Sequence, residues 1–421
     1  MTDFSTTENS TPYPGPASSI ELTLAMITVF LAPLNYLRAS FVYFTLGDVF
    51  AFSTFILMLT KGRLPLRPFG AISGLWFASV LMFLTGFMMA SILNGDPIAG
   101  TTAIGQYCVT LILLPMIILQ RSRRETELLI LAFVASICVS MIHGAYYVNY
   151  YPDDGRFVSI NGRLKGLVER VNGAGAMAAF AITFLTWLRY VGRIHIILFL
   201  LLLTPIVYGL LLTGSNTGFY LTAIGVFGLA VLSGSARAII KLLSAMIALF
   251  TVALLWGDAF LPEVFQERVF EAVRAGDASE SGTFDERFML ILEAQKIADD
   301  TVWLGLGIDQ YEEVSALDAP VHNTYLLTLS EGGLMSLLGL VGMLLTGIYI
   351  AWFERFFRHN WINSALSLSI VVMVALVMNA IPHFYARFWT VPWMLALSVS
   401  LMPVTISARS RTRIFVKAEQ Q

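Results

Sequence analysis

His322 follows the longest polar stretch of this 421-residue chain and precedes an apolar run, in Pro320-Val321-His322-Asn323-Thr324-Tyr325-Leu326. An imidazole titrates near neutrality, so it can take a proton from a hydroxyl or orient it. An ionisable group where water gives way to lipid is a functional candidate; the competing role for His322 is to cap the helix that begins there. Arginines supply the complementary chemistry. Arg163 and Arg170 share one short polar segment, Arg287 lies in the long one, and Arg387 ends the turn His383-Phe384-Tyr385-Ala386-Arg387. A guanidinium donates paired hydrogen bonds to a phosphate, where Lys is only a point charge. A base for an attacking hydroxyl, together with counter-charge for a departing phosphate, is what transfer of a group off a phosphate requires.

Metal chemistry has no comparable signature. There is no His-x-x-x-His, no Cys-x-x-Cys and no Asp-x-Asp in an outward loop, and Asp153-Asp154 and Asp299-Asp300 are adjacent rather than spaced as ligands. The residues predict metal-independent transfer with no cofactor.

The elements that must position these groups are membrane helices. With 57% hydrophobic residues, 13% charged residues and a mean hydropathy of +0.74, the chain is predicted to be an all-α integral membrane protein. Apolar runs give about twelve transmembrane helices, with one large, partly helical outward loop. The division is a polar tail at 1–19, helices one to nine over 20–257 with an outer loop at 148–172, the large loop at 258–321, helices ten to twelve over 322–405 and a basic tail at 406–421. The tail at 1–19 has no Lys or Arg, unlike a cleaved signal peptide, so the first helix is expected to act as its own signal. Sixteen of the 26 Lys and Arg fall in the segments that become cytoplasmic if both termini are inside. The outer ten concentrate in 148–172 and 258–321.

Cys108 and Cys138 sit in apolar runs and predict packing rather than a disulfide. Gly70-x-x-x-Gly74 and Gly214-x-x-x-Gly218 have the spacing that lets helices approach closely. Tyr146, Tyr147, Tyr150 and Tyr151 resemble an aromatic belt.

From Asp258 to Val321 the chain holds 15 Asp and Glu against 4 Lys and Arg, which suits an anionic substrate poorly. Helical periodicity offers a resolution. A helix over 283–300, opened by Thr283-x-x-Glu286, places Phe284, Phe288, Ile291, Gln295 and Ala298 on one face and Glu286, Glu293 and Asp300 towards water, with Arg287 beside the apolar face. The alternative for Arg287 is a stabilising ion pair. A second amphipathic piece, 262–275, completes a lid on the bilayer.

The run His322-Asn323-Thr324-Tyr325-Leu326, with Glu331-Gly332-Gly333-Leu334 after it and Leu304-Gly305-Leu306-Gly307 before it, resembles the signature of the O-antigen ligase and O-antigen polymerase superfamily. Two further stretches are similar to that family: Arg163, Gly166 and Asn172, with Gly173 where the pattern has Pro, and Thr213-Gly214-Ser215-Asn216, with Asn216 where a basic residue is usual. The resemblance covers about residues 160–345. It implies a bacterial inner-membrane glycosyltransferase, active on its periplasmic face, that passes a glycan from undecaprenyl diphosphate to a sugar hydroxyl. The acceptor is a lipid A core sugar for a ligase and a glycan repeat unit, of O-antigen, exopolysaccharide or capsule, for a polymerase. Membrane lipids are partners on either account, a chain-length regulator is one on the second, and no nucleic acid is expected. His322 and Arg287 are then the catalytic candidates, and Arg163, Arg170, Asn216, Asn323, Tyr325 and Arg387 the groups that bind diphosphate or glycan. A secondary transporter or lipid flippase is the alternative of another class; the sequence shows neither the internal repeat nor the paired mid-membrane charges it would favour.

Overall fold

The computed structural model describes residues 17–39, 43–266 and 284–402, and every element among them is helical. In chain order these are α1 (Ser19–Leu31), α2 (Leu46–Thr60), α3 (Ser73–Leu93), α4 (Pro97–Cys108) running through a π-helical turn into α5 (Leu114–Ile118), α6 (Arg123–Tyr150), α7 (Val171–Tyr190), α8 (Ile196–Thr213), α9 (Asn216–Leu232), α10 (Ala236–Phe260), the single turn α11 (Glu263–Phe265), α12 (Phe284–Thr301), α13 (Tyr311–Val314), α14 (Thr324–Phe356), α15 (Trp361–Val377) and α16 (Arg387–Leu401). Polar residues set their starts. Thr45 with Asp48, and Ser122 with Glu125, form reciprocal capping boxes, and the side chains of Ser18, Ser215, Ser235, Asn323 and Asn360 accept from first-turn amides.

Six helical stretches are long and apolar enough to cross a membrane: Gly70–Leu93, Pro97–Ile118, Arg123–Tyr150, Val171–Tyr190, Ile196–Thr213 and Thr324–Phe356. Four shorter apolar helices, α1, α2, α9 and α15, accompany them. The two free cysteines pack inside helices as expected.

Two helices form the centre. From Gly173 to Leu185 α7 is buried without interruption, and α16 is buried from Arg387 to Ser400. Small residues let their neighbours close in. A methyl group added at Gly218 would lie 2.8 Å from the Cα of Gly175, which marks the α7–α9 crossing, and one added at Gly86 would meet the Gly332 carbonyl at 2.8 Å between α3 and α14. Of the four glycines in the spacings seen in the sequence, only Gly218 is explained by packing: nothing lies within 4 Å of such a methyl at Gly70 or Gly74, and Gly214 instead takes the left-handed conformation that ends α8.

The motif residues interlock around a break in α14. Gly333 adopts φ 70°, ψ −177°, so the helical ladder stops there. The amides of Leu306 and Gly307 bond to the carbonyls of Ser330 and Glu331, and Leu334 N–H reaches Val302 O. Leu304-Gly305-Leu306-Gly307 and Glu331-Gly332-Gly333-Leu334 are therefore two sides of one joint.

The long loop departs from the sequence pattern in two respects. The inward face of α12 carries Leu290, Ala294 and Ala298, whereas Phe288 is half exposed. Glu293, expected in water, accepts from Ser315 Oγ at 2.8 Å and the Ala316 amide at 2.7 Å and so ties the following segment down. These two partners lie more than twenty residues away, where periodicity within one helix has no view. Thr283 and most of the 262–275 piece lie outside the described residues.

Candidate active site

A cavity of about 490 Å³ opens where four connections meet, and its wall includes His322, Arg163 and Arg170. Three groups proposed from two separate stretches of sequence thus share one space. Arg163 is presented by a tight turn in which Ser159 N–H bonds to Arg163 O and Gly162 takes a left-handed φ. Its guanidinium donates to the carbonyls of Thr213 at 2.8 Å and Gly214 at 3.2 Å, at the C-terminus of α8. Ser215 Oγ donates to Asn172 Oδ1 at 3.0 Å. The two sequence stretches, 163–172 and 213–216, are therefore bonded to each other beside the cavity.

Helix starts add to the positive character of this wall. Arg170, Val171, Asn172 and Gly173 bring the N-terminus of α7 to the cavity, and Ala386, Phe388 and Trp389 bring that of α16. Among the described residues no side chain caps either helix, so first-turn amides of two buried helices are left for a ligand or water. Such amides, with the helix dipole behind them, favour an anion.

The other proposed residues support the wall from behind. Asn323 caps α14, accepting from Tyr325 N–H and Leu326 N–H at 3.1 Å each and donating to Asn379 Oδ1 at 3.2 Å. Tyr325 donates its hydroxyl to Ala375 O at 2.8 Å, and Asn216 is the first residue of α9. Arg387, expected at the substrate, is buried and forms a two-point ion pair with Asp48, Nε to Oδ1 at 2.7 Å and Nη2 to Oδ2 at 2.9 Å. None of these four lines the cavity. Arg287 belongs to the first turn of α12, and its side chain lies outside the described residues.

Sequence reasoning singled out Glu331 only as part of the motif and did not find the acidic side that it forms with Asp309 and Glu312. Asp309, Glu312 and Glu331 line it with His383. His383 Nε2 lies 3.3 Å from Asp309 Oδ1 and 3.7 Å from Glu331 Oε2. Glu331 Oε1 also accepts from the Tyr311 amide at 3.3 Å. Burial alone would push the His383 imidazole down, but the Glu331 and Asp309 carboxylates outweigh it and hold the group above its usual 6.5. The hydrogen bond from His383 in turn holds the Asp309 carboxyl below the usual carboxylate range, against the effect of burial. The one available signal was Asp309 closing the glycine-rich Leu304-Gly-Leu-Gly stretch, where it takes φ 60°.

Residues 197–341 match the family model described as O-antigen ligase, a segment of about one third of the chain that carries both the His322 and the Glu331 motifs. No curated protein matches the chain at a significant level. Over that segment the chain is similar to the O-antigen ligase family.

Proposed function

We propose that the protein transfers a glycan from undecaprenyl diphosphate to a sugar hydroxyl at the periplasmic face of the bacterial inner membrane, without a metal. One observation carries this: His322, two arginines and two uncapped helix N-termini converge on a single cavity. Arg163, Arg170 and the first-turn amides of α7 and α16 hold the diphosphate, and Arg287 joins them on the strength of the helical periodicity that sets it beside the apolar face of α12. The acceptor oxygen attacks the anomeric carbon as the bond from that carbon to the diphosphate oxygen breaks. The electron pair leaves with the diphosphate, whose growing charge the guanidiniums offset, and the hydroxyl proton passes to His322. Direct displacement of this kind inverts the anomeric configuration. Asn216, Asn323, Tyr325 and Arg387 act by holding the groups that do touch substrate.

The acceptor is a lipid A core sugar in the preferred form, after the family description, and a repeat unit in the polymerase form. His322→Ala is expected to leave protein level intact, lower transfer by about 10²- to 10⁴-fold and make polyprenyl-linked glycan accumulate on the periplasmic side. Unchanged glycan processing would remove His322 from the mechanism. Loss of glycan from lipid A with free polymer remaining identifies a ligase; single repeat units alone identify a polymerase.

A further inference from the structure

The cavity is electrically two-sided. Arg163, Arg170 and His322 stand with the starts of α7 and α16, while Asp309, Glu312 and Glu331 come from the 304–312 segment and α14. A diphosphate is drawn to the first group and repelled by the second, so the lipid-linked donor has one favourable orientation. The acidic side suits a neutral polyol, because a carboxylate offers two oxygens to neighbouring hydroxyls and lacks protons with which to compete for them.

Within that side one carboxylate is arranged to meet a ligand. Asp309 is well exposed, its side chain retaining 58% of its accessible surface, and it sits at a left-handed φ of 60° that few side-chain-bearing residues adopt. His383 Nε2 holds it at 3.3 Å, and Glu331, 1% exposed, stands behind at 3.7 Å from the same nitrogen. The Oε2 atom of Glu331 is buried with no hydrogen bond, while Oε1 fixes the turn through the Tyr311 amide. Glu331 thus secures both ends of the arrangement, the imidazole and the backbone just past Asp309.

We propose that Asp309 binds hydroxyls of the acceptor sugar and that His383 and Glu331 are positioning residues acting through it, which makes this side of the cavity the acceptor subsite. The inference rests on the transferase function proposed above. His383 does this as an imidazolium: a cation between two carboxylates fixes Asp309 more firmly than a neutral ring. The charged and titratable groups facing it are Glu331 on α14, Asp309 and Glu312 on the 304–312 segment, Arg170 before α7, His322 before α14 and Tyr385 on its own turn. Since the folded protein raises the His383 value, the clamp is complete below the ordinary imidazole value and is lost as pH rises through the raised one.

The test uses full-length protein in nanodiscs with undecaprenyl-diphosphate-linked glycan as donor and, in parallel, deep-rough lipid A core or a second lipid-linked repeat unit as acceptor. Binding of undecaprenyl diphosphate without sugar is measured separately. Asp309→Asn and His383→Ala are expected to raise KM for the acceptor by about 10- to 100-fold, with undecaprenyl diphosphate binding unchanged. His383→Gln, whose amide can still donate to Asp309, is expected to recover most of the acceptor affinity and to flatten its loss at alkaline pH. Acceptor KM unmoved in Asp309→Asn, or donor binding weakened in step with it, overturns the subsite. Failure of the unaltered protein to bind undecaprenyl diphosphate or to transfer glycan overturns the function instead.

Discussion

Arg387 and Asp48 meet across 339 residues of chain, and both are buried. The guanidinium also donates to the carbonyls of Tyr385 at 3.2 Å and Tyr43 at 3.4 Å, while Asp48 closes the capping box of α2. The pair therefore joins the first turn of α2 to the turn that carries His383. Leaving one partner buried alone costs about 3–5 kcal/mol, whereas replacing both with apolar residues of similar volume is often close to neutral. Asp48→Ala and Arg387→Ala are each expected to lower the thermal stability of the detergent-solubilised protein by that amount, and Asp48→Leu with Arg387→Met by much less. Single variants that lose under about 1 kcal/mol would show the pair to be dispensable. The same pair marks what a sequence reveals at this scale. His322, Arg163 and Arg170 stood out because polar chemistry is conspicuous beside apolar runs. The role of Arg387 was hidden, since its partner is set by helix packing. That His383, Asp309 and Glu331 meet was hidden for the same reason, since they come from three separate segments that only the folded chain brings together.

At the scale of elements, the decisive feature is the joint between the 302–307 segment and broken α14. Gly333, at φ 70° and ψ −177°, occupies a region open essentially to glycine alone, and a methyl group there would lie 2.8 Å from Trp303 O. Gly333→Ala is expected to destabilise by about 1–3 kcal/mol from backbone strain, with the contact adding to this, and to loosen Glu331 from the Tyr311 amide. Gly74→Ala, where nothing lies within 4 Å, is expected to stay within about 0.5 kcal/mol of the unaltered protein. Thermal unfolding of the two variants side by side checks both, and equal stability would refute the joint. The helices themselves were legible, because long apolar runs leave the backbone little choice but to bond internally. The break in α14 was not. Its glycines show in the sequence as a motif, but that they admit a neighbouring segment's amides depends on a loop some thirty residues earlier.

Across the whole molecule the cavity imposes a condition on topology. It gathers the connections before α2, before α7, before α14 and before α16 at one end of the bundle. If each of the apolar runs crosses the membrane once, an even number of crossings separates each of these connections from the next, so all four fall on the same side. The opposite end holds Arg121, whose Nη1 lies 2.9 Å from Oε1 of fully buried Glu21, with Arg63 Nε 3.3 Å from Oε2 of the same carboxylate. Short loops rich in Lys and Arg face the cytoplasm, so the cavity is expected to open to the periplasm, where acceptor sugars are displayed. With Cys108 and Cys138 first replaced by Ala, a cysteine at fully exposed Ile160 is expected to react with a membrane-impermeant maleimide in spheroplasts. One at exposed Arg124 is expected to react only after the membrane is opened. The reverse pattern would turn the cavity towards the cytoplasm and remove periplasmic transfer with it. Labelling of both sites in sealed spheroplasts would break the even count, and with it the arrangement that brings His322, Arg163 and Arg170 to one face.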